Sequence, residues 1–309
     1  MGRYVVRRLL QMIPVFIGAT LLVFLMMYAL PGDPVRALYG ERSVDQAQIA
    51  AIKAELGLDL PLMQQYWNYL LGVFQGDFGT QIASRRPVMD VITDALPATI
   101  RLTVLAFLIT VVLGVGMGLI AGLRRGGKTD RVILFVTLLF ISVPVFVIGY
   151  IYQNLFANTL GWTTPTVRDP EVWTQLILPA TVLASLSLAY VARLTRTSIA
   201  ENARSDYMRT AKAKGLSPQR AVGVHLMRNS LIPVVTFLGV DIGNLMAGAI
   251  VTEGIFNVNG IGSAVYKALN FREGATVVGI VTFMIVVYLV VTLLVDLLYA
   301  VLDPRIRYA

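Results

Sequence analysis

Six long apolar runs set the strongest limit on what this chain can fold into. Five of them contain no charged residue, namely residues 9–30, 102–123, 132–157, 172–192 and 275–295. A sixth run, residues 231–252, contains one charged residue, Asp241. A helix of about 20 predominantly apolar residues crosses a bilayer and satisfies its own backbone hydrogen bonds there. The runs therefore predict an all-α membrane protein with six transmembrane helices.

The composition agrees with a membrane location and narrows the chemistry. Hydrophobic residues make up 56% of the chain and charged residues 14%, whereas a soluble domain carries about 25% charged residues. The absence of cysteine and the single histidine, His225, exclude a disulfide framework, a thiol nucleophile and a multi-histidine metal centre. We therefore expect no metal site. No paired catalytic groups appear within the apolar runs, so we also expect no catalytic residue and predict that the chain is not an enzyme.

The positive charge of the chain is concentrated on one side of the predicted bundle. With six crossings both termini lie on one side, and that side holds 17 of the 26 Lys and Arg residues. Because cytoplasmic loops are rich in Lys and Arg, both termini are predicted to be cytoplasmic. The net charge of +8 is then explained by membrane orientation rather than by nucleic-acid binding. The first run is too long for a signal peptide and lacks a cleavage site, so we interpret it as a retained transmembrane helix.

About sixty residues separate the first crossing from the second, and they are predicted to lie outside. Ser43 and Gln46 fit a capping box, and Gly57 fits the end of that helix. Another short amphipathic stretch, residues 87–96, is predicted to end at Pro97. These helices either lie on the membrane surface or pack on the bundle, which we prefer, or they form a docking platform for an external partner.

A basic, mostly polar insert at residues 206–235 interrupts the membrane-like sequence. Asp206 is a good N-cap for a helix over residues 207–214, because its carboxylate can accept from first-turn N–H groups. Gly215 stands where helix ends favour a left-handed residue, and the Ser-Pro pair at residues 217–218 fits the start of a second helix. A charged helix–glycine–helix elbow between membrane helices is suited to binding another protein. The insert suggests a transporter whose energy source is a separate subunit.

One motif, residues 122–129 with the sequence GLRRGGKT, matches the phosphate-binding pattern of nucleotide-binding proteins. A working phosphate loop follows a β-strand and enters a helix that packs on a parallel sheet. Here a membrane helix is predicted on each side, so we interpret the motif as a glycine-rich basic turn. Lys128 and its neighbouring arginines then fix the topology, and the chain lacks ATPase machinery of its own.

Polar side chains inside the apolar runs are candidates for a translocation cavity. Asp241 lies about 15 Å along the fifth helix, near the midplane, and Asn244 follows one turn later. An ionisable residue at that depth faces a bundle interior or a watery cavity, so a structural role and a cavity role both stay open. Weaker cavity candidates are Gln153, Asn154, Ser185, Ser187 and Tyr190. Two other acidic residues are expected to be structural, Glu253 solvated at the outer helix end and Asp296 paired with a basic cytoplasmic residue.

Small residues four positions apart predict close helix packing within the bilayer. Gly114, Gly118 and Gly122 follow this spacing on the second helix, and Gly239 and Gly243 follow it on the fifth. Small residues let helix backbones approach closely where lipid supplies no hydrophobic drive. We prefer this interpretation to a hinge or a substrate groove, although the same glycines can serve both.

The chain as a whole resembles a family of membrane transport subunits. The matching motifs are residues 7–10, 13–14, 30–34, 56–61, 76–79, 207–216, 228–233, 252–256 and 294–307. On these residues the chain is similar to the permeases of binding-protein-dependent ABC importers, and more narrowly to the B-type subunit of dipeptide and oligopeptide importers. Where other branches carry Glu-Ala-Ala before the loop glycine, this chain has Arg209, Thr210 and Ala211, a variant common in the peptide branch.

The resemblance implies a fold and a set of partners. The fold would be the transmembrane domain of a type I ABC importer, in the bacterial cytoplasmic membrane. A second, homologous permease subunit would complete a heterodimer, two cytoplasmic ATPase subunits or domains would bind ATP and magnesium, and an external binding protein would deliver a peptide. This chain would hold no cofactor. Its contact with the ATPase would be a coupling helix and the helix stop, comprising Asp206, Tyr207, Arg209, Thr210, Ala211, Lys212, Lys214, Gly215 and Leu216.

The resemblance also implies a domain order and leaves the substrate open. The expected parts are the first crossing at residues 1–30, an extracytoplasmic helical segment at 31–96, a permease core at 97–303 with its coupling loop at 199–229, and a cytoplasmic tail at 304–309. Nickel chelates, glutathione and longer peptides are alternative substrates of the same architecture. A secondary transporter that uses Asp241 as a proton relay is the alternative from a different class.

Overall fold

The computed structural model describes residues 2–28, 36, 45–55 and 57–302, and these residues are almost entirely helical. In chain order the helices are α1 Gly2–Tyr28, α2 Gln46–Glu55, α3 Leu62–Phe74, α4 Val88–Leu123, α5 Lys128–Ser142, α6 Val145–Thr159, α7 Trp173–Asn202, α8 Asp206–Ala213, α9 at residues 218–230, α10 Ile232–Phe256, α11 Ile261–Asn270 and α12 Gly274–Leu302. The described part holds no β-strand beyond a single bridge between Thr80 and Pro87. The all-α prediction is confirmed.

Five helices are long and apolar enough to cross a membrane, and a bent pair makes a sixth crossing if its two helices act together. The pair is α5 and α6, whose axes differ by 107°. Pro144 explains the break, because proline lacks the N–H for a helical hydrogen bond and pushes the preceding residue out of the helical region. Val143 accordingly has an extended backbone, with φ −102° and ψ 127°. The third apolar run is therefore two helices rather than one straight span.

The second crossing is longer than predicted, because α4 runs without interruption through Pro97. The prediction that residues 87–96 form a separate short helix ending at Pro97 is wrong. Membrane helices tolerate an internal proline when surrounding packing holds the chain on both sides. Here the side chains of Ile92 and Leu102, before and after Pro97, are fully buried. The predicted boundary between residues 96 and 97 is thus not a break in secondary structure.

Residues 1–99 and 259–309 form one of two compact units. In this unit α1 packs on α12, and an apolar cluster joins Phe24 of α1 to Tyr66 and Leu70 of α3 and to Val278 of α12. Thr20 is hydrogen-bonded to the Tyr66 hydroxyl at 2.9 Å. A guanidinium nitrogen of Arg8 lies 3.1 Å from Asp296, so the pairing predicted for Asp296 with a basic residue is confirmed.

Residues 100–258 form the other compact unit, which is built around α7. A Cβ atom added at Gly114, Gly118 or Gly122 would lie 2.9 Å or less from atoms of α7, respectively at Val191, at Ala192 with Thr195, and at Ile199. These contacts recur every four residues along both helices. The glycine spacing on α4 therefore serves close packing, as predicted.

Several predicted features fall partly outside the described residues. Ser43 of the capping box, the motif at residues 30–34 and the tail at 304–309 lie outside them. Helix α2 starts at Gln46, and Asp45 caps it by accepting from the Ala47 N–H at 3.0 Å. A capping box would make Gln46 the third helical residue rather than the first, so that prediction is wrong. Gly57 has φ +64°, and its N–H donates to the Ala54 carbonyl at 3.2 Å, so the predicted end of this helix is confirmed. The assignment of residues 31–96 as an extracytoplasmic segment stays a prediction.

Candidate functional site

The polar insert between α7 and α10 folds as the predicted elbow, with one correction at its start. Helix α8 begins at Asp206, and Ser205 rather than Asp206 is the residue that caps it. Ser205 has the extended backbone of an N-cap, and its hydroxyl donates to the Asn202 carbonyl at 2.6 Å. Asp206 is instead in the first turn, where its carboxylate complements the helix dipole while its side chain stays 96% exposed. It lies 3.5 Å from the guanidinium of Arg209.

The end of α8 follows the prediction closely. Gly215 has φ +74°, the left-handed conformation that only glycine adopts without steric cost. The Gly215 N–H donates to the Lys212 carbonyl at 3.0 Å, and the Leu216 N–H donates to the Ala211 carbonyl at 3.2 Å. This pair of bonds is the Schellman motif, which satisfies the last free carbonyls of a helix. Next, Ser217 caps the following helix by accepting from the Arg220 N–H at 3.4 Å.

Helix α8 is held from beneath by an apolar seat, which we define as Ile199, Met208, Ala221 and Leu226. Met208 is the α8 residue in this seat and is 3% exposed. The predicted coupling residues divide into two groups by their exposure to solvent. Ala211 is buried, and Tyr207 and Leu216 are half-buried. The exposed residues are Asp206, Arg209, Thr210, Lys212, Lys214 and Gly215.

One more bond fixes the orientation of the elbow. The Tyr207 hydroxyl donates to the Asn202 side-chain oxygen at 3.1 Å, which ties α8 to the end of α7. The helix thus presents a charged, mostly basic face on a fixed apolar support. Such a face can bind a groove in another protein, and it carries no group placed for covalent chemistry.

The phosphate-loop look-alike is a turn between α4 and α5. A helix precedes it, so the strand and sheet that a phosphate loop requires are missing from this part of the described chain. Asp130 holds the turn in place by accepting from the Gly126 N–H at 2.8 Å. It also accepts two hydrogen bonds from Arg196 of α7, at 2.6 and 2.8 Å. Sequence reasoning missed this pair, although an acidic residue within a basic turn is a signal for it.

The cavity candidates do not converge on one place. Ser187 and Asp241 meet, since the serine hydroxyl donates to a carboxylate oxygen of Asp241 at 2.9 Å and both side chains are buried. Gln153 instead donates to the backbone carbonyls of Pro165 and Ile255, at 2.7 and 3.3 Å. Asn154 and Asn244 are exposed. Of the seven candidates, only Ser187 and Asp241 are hydrogen-bonded to each other in the described structure.

Two further cavity candidates, Ser185 and Tyr190, and the acidic residue Glu253 also lie in the membrane-length helices. Ser185 is buried and donates to the Val182 carbonyl at 2.7 Å, while Tyr190 is exposed and its ring lies 6.2 Å from that of Phe237. Glu253 was expected to be solvated, and this expectation is wrong because its side chain is fully buried. The residue lies in the last turn of α10, which is closed by the hydrogen bond from the Val258 N–H to the Glu253 carbonyl at 2.9 Å.

Comparison with known proteins agrees with this geometry. Residues 114–308 match the family described as binding-protein-dependent transport system inner membrane component, and residues 1–103 match the N-terminal domain of such components. The chain is 35% identical to a dipeptide transport system permease of Alkalihalophilus pseudofirmus, with 99% of each chain covered. It is 39% identical to a di/tripeptide transport system permease of Pseudomonas aeruginosa, covering 99% of this chain and 98% of the relative.

A third relative is a glutathione transport system permease of Salmonella typhi, 39% identical with both chains covered completely. These matches span both compact units and include the elbow at α8. With its several membrane-length helices, the protein is a multi-pass membrane permease subunit. The chain belongs to the family of binding-protein-dependent transport system inner membrane components.

Proposed function

We propose that this chain is one of two permease subunits of an ATP-driven importer for short peptides. The observation that carries the proposal is α8, a charged helix seated on apolar side chains between two membrane-length helices and closed by Gly215. Two ATPase subunits or domains bind ATP and magnesium, and each permease contributes one coupling helix to one of them. A second, homologous permease completes the pore.

The seat of α8 suggests how force passes between subunits. Because Met208 and Ala221 lie in one cluster with Ile199 of α7, a push on α8 is transmitted to a membrane helix rather than absorbed by a loop. The glycine contacts between α4 and α7 extend the same rigid body into the membrane. Closure of the ATPases then favours one arrangement of the permease helices over another, which is the differential contact that gating requires.

Peptides of two or three residues are the proposed substrates. The relatives are named for dipeptides, di/tripeptides and glutathione, and these compounds are all short peptides with a free carboxylate. The choice between dipeptide and glutathione belongs to the external binding protein that delivers the substrate. The pairing of Ser187 with Asp241 inside the unit supports a structural role for both, rather than a proton relay.

Isolation of the complex tests the assembly. The tagged chain, extracted from membranes in mild detergent, should bring down a homologous permease and ATPase subunits, and the chain alone should not hydrolyse ATP. Reconstituted with a peptide-loaded binding protein, the complex should take up labelled dipeptide in an ATP-dependent manner. Recovery of the chain without any ATPase, together with uptake driven by a proton gradient, would overturn the proposal.

The orientation is tested separately, because the chain has no native cysteine. Ser84→Cys is proposed to react with a membrane-impermeant thiol reagent added to intact cells, and Lys212→Cys is proposed to react only after the membrane is opened. Both positions are exposed, so the access route alone decides the result. Labelling of Lys212→Cys from outside would overturn the proposal that α8 and both termini are cytoplasmic.

A further inference from the structure

A cavity in the unit formed by residues 1–99 and 259–309 has no role in the mechanism above. Its volume is about 880 Å³, within the range of pockets that hold small molecules. The cavity is lined by part of the turn at residues 81–86, by the start of α4, by helix α11 and by residues 271–273. The turn and α11 belong to segments that the topology predicts to lie on the outer side, and the start of α4 is the outer end of the second crossing. The cavity is therefore proposed to be open to peptides before they enter the pore.

The cavity wall carries charged side chains of both signs. Lys267 and Arg272 supply two cations, and no carboxylate among the described residues lies within ion-pair distance of either. The Lys267 ammonium donates to the Asn259 side-chain oxygen at 3.3 Å, which directs it along the wall. Asp94 lies elsewhere on the wall, exposed and 2.7 Å from the Arg86 guanidinium.

The wall has five charged residues, and the fifth, Glu273, already accepts hydrogen bonds through both carboxylate oxygens. It is 6% exposed, accepts from the Ala83 N–H at 3.1 Å through one oxygen and from the Thr276 hydroxyl at 2.9 Å through the other. The glutamate thus ties the turn at residues 81–86 to the start of α12. The cavity wall is fixed by this contact, and its free cations are Lys267 and Arg272.

The backbone at Arg272 is a second, independent indication. This residue has φ +56°, a conformation that is strained for any residue with a side chain. It closes α11 with the Schellman pattern, since its N–H donates to the Leu269 carbonyl at 3.1 Å and the Glu273 N–H donates to the Ala268 carbonyl at 2.9 Å. Glycine is the usual residue at such a position. An arginine held there places a charge on the cavity wall at the expense of local strain, as residues at binding sites do.

We propose that this cavity is a second, weak binding site for the transported peptide, in which Lys267 and Arg272 bind its terminal carboxylate and Asp94 faces its ammonium group. The inference rests on the proposed function, because it assumes that short peptides are the substrate. A dipeptide or tripeptide with free termini carries the two opposite charges that this wall complements. Such a site would hold peptide near the outer end of the permease and raise its local concentration there.

Thiol protection tests the site in the assembled complex, which contains this chain and its partner subunits without the binding protein. Ala264 lines the cavity and is half-buried, so Ala264→Cys places a single reactive thiol in this chain. The rate at which an impermeant reagent labels this band is measured with alanyl-alanine, with alanyl-alanine amide and with acetate. We expect alanyl-alanine to slow labelling and the amide and acetate to have little effect. A control thiol at Ser84, which lies outside the wall, should be labelled equally fast in all conditions.

Charge variants show which residues bind the peptide. In the Ala264→Cys background, Lys267→Ala or Arg272→Ala should raise the alanyl-alanine concentration needed for protection about tenfold, the effect of losing one charge-assisted hydrogen bond. The matched control is Arg85→Ala, which removes an exposed cation of the same segment that pairs with Glu55 and does not line the cavity. In this variant, the alanyl-alanine concentration needed for protection should be the same as in the parent protein.

The outcomes separate this inference from the proposed function. Absence of protection by alanyl-alanine, in a complex that still takes up dipeptide with its binding protein, would overturn the second site and leave the proposed function intact. Protection by the binding protein but not by the dipeptide would overturn it as well, since the cavity would then be a protein-docking surface. Equal protection by acetate would reduce it to an anion site. Failure of the proposed function would appear instead as absent ATPase partners and absent uptake.

Discussion

Helices α8 and α11 end with the same pair of hydrogen bonds but with different residues at the left-handed position. In α8 that residue is Gly215, with φ +74°, and in α11 it is Arg272, with φ +56°. Both helices are short, and both rest an apolar side on buried side chains, with Met208 in the first and Val265 in the second. The two helices therefore differ chiefly in what the left-handed residue after each of them contributes.

The difference separates a conformational requirement from a chemical one. Glycine at residue 215 lets the chain turn at no steric cost and presents no side chain, so the contact surface of α8 consists of the residues before it. Arginine at residue 272 makes the same turn against a cost of about 1–2 kcal/mol and adds a guanidinium to a cavity wall. At residue 215 glycine stops the helix without steric cost, whereas at residue 272 the strain falls on a residue whose side chain lines a cavity.

The largest expected effect comes from emptying the seat beneath α8. Met208→Ala removes a buried side chain from a packed cluster, and we expect α8 to lose about 2–5 kcal/mol of its attachment. Hydrogen–deuterium exchange of the α8 amides measures this loss directly. The control Met208→Leu conserves volume and should cost less than about 1.5 kcal/mol. Equal exchange in both variants would show that the seat does not hold the helix.

The next effect concerns the glycine stop itself. Gly215→Val places a β-branched side chain at φ +74° and should cost about 1–2 kcal/mol of backbone strain, which tilting α8 out of its groove on the ATPase can relieve. The complex should assemble yet lose the stimulation of ATP hydrolysis by loaded binding protein, measured in reconstituted vesicles.

Gly223→Val is the matched control for this change. Gly223 lies in the same loop, has no positive φ, and has open space around its Cβ direction. The control should retain stimulation. Full stimulation in Gly215→Val would remove α8 from the coupling mechanism.

A smaller effect is expected at the end of α11, where the substitution should stabilise the structure rather than destabilise it. Arg272→Gly relieves the left-handed strain and should stabilise the turn by about 1 kcal/mol, which slower amide exchange at residues 272–274 would reveal. Arg272→Ala removes the same charge but keeps the strain, so it should show no such gain. If Arg272→Gly destabilises the turn, the arginine side chain holds the structure and the contrast with Gly215 fails.

The smallest effect is expected from an exposed charge on α8. Lys212→Ala removes a solvent-exposed ammonium and should change stability by less than about 0.5 kcal/mol, with stimulated ATP hydrolysis close to that of the parent protein. A loss as large as that of Gly215→Val would mean that Lys212 is buried against the ATPase. The coupling contact would then depend on one ion pair rather than on the position of the helix.

Much of the fold could be predicted from the sequence because its determinants are local. The apolar runs predicted membrane-length helices, and Gly57 and Gly215 predicted helix ends, since one residue without a Cβ atom decides whether the left-handed turn is free of strain. The glycines on α4 predicted close packing but not its partner, which the structure identifies as α7. The candidate coupling helix was found for the same reason, with its start misplaced by one residue.

The predictions that failed depend on contacts between distant residues. Pro97 is a helix breaker by its own chemistry, yet α4 continues through it because buried side chains hold the chain on both sides. Glu253 was expected in solvent, but its side chain is fully buried. The seven cavity candidates were grouped by polarity, whereas only Ser187 and Asp241 are brought together by the register of α7 and α10.

By itself, the sequence determined that this protein lies in a membrane and where a polar elbow interrupts its apolar helices. Hydropathy, charge distribution and backbone preference are properties of consecutive residues, so they can be read without knowing any neighbour in space. Only the tertiary structure decided the pairing of Asp130 with Arg196, the seat of α8 and the cavity beside α11. Each of these joins residues far apart in the chain, and their meeting depends on how helices pack rather than on any one segment.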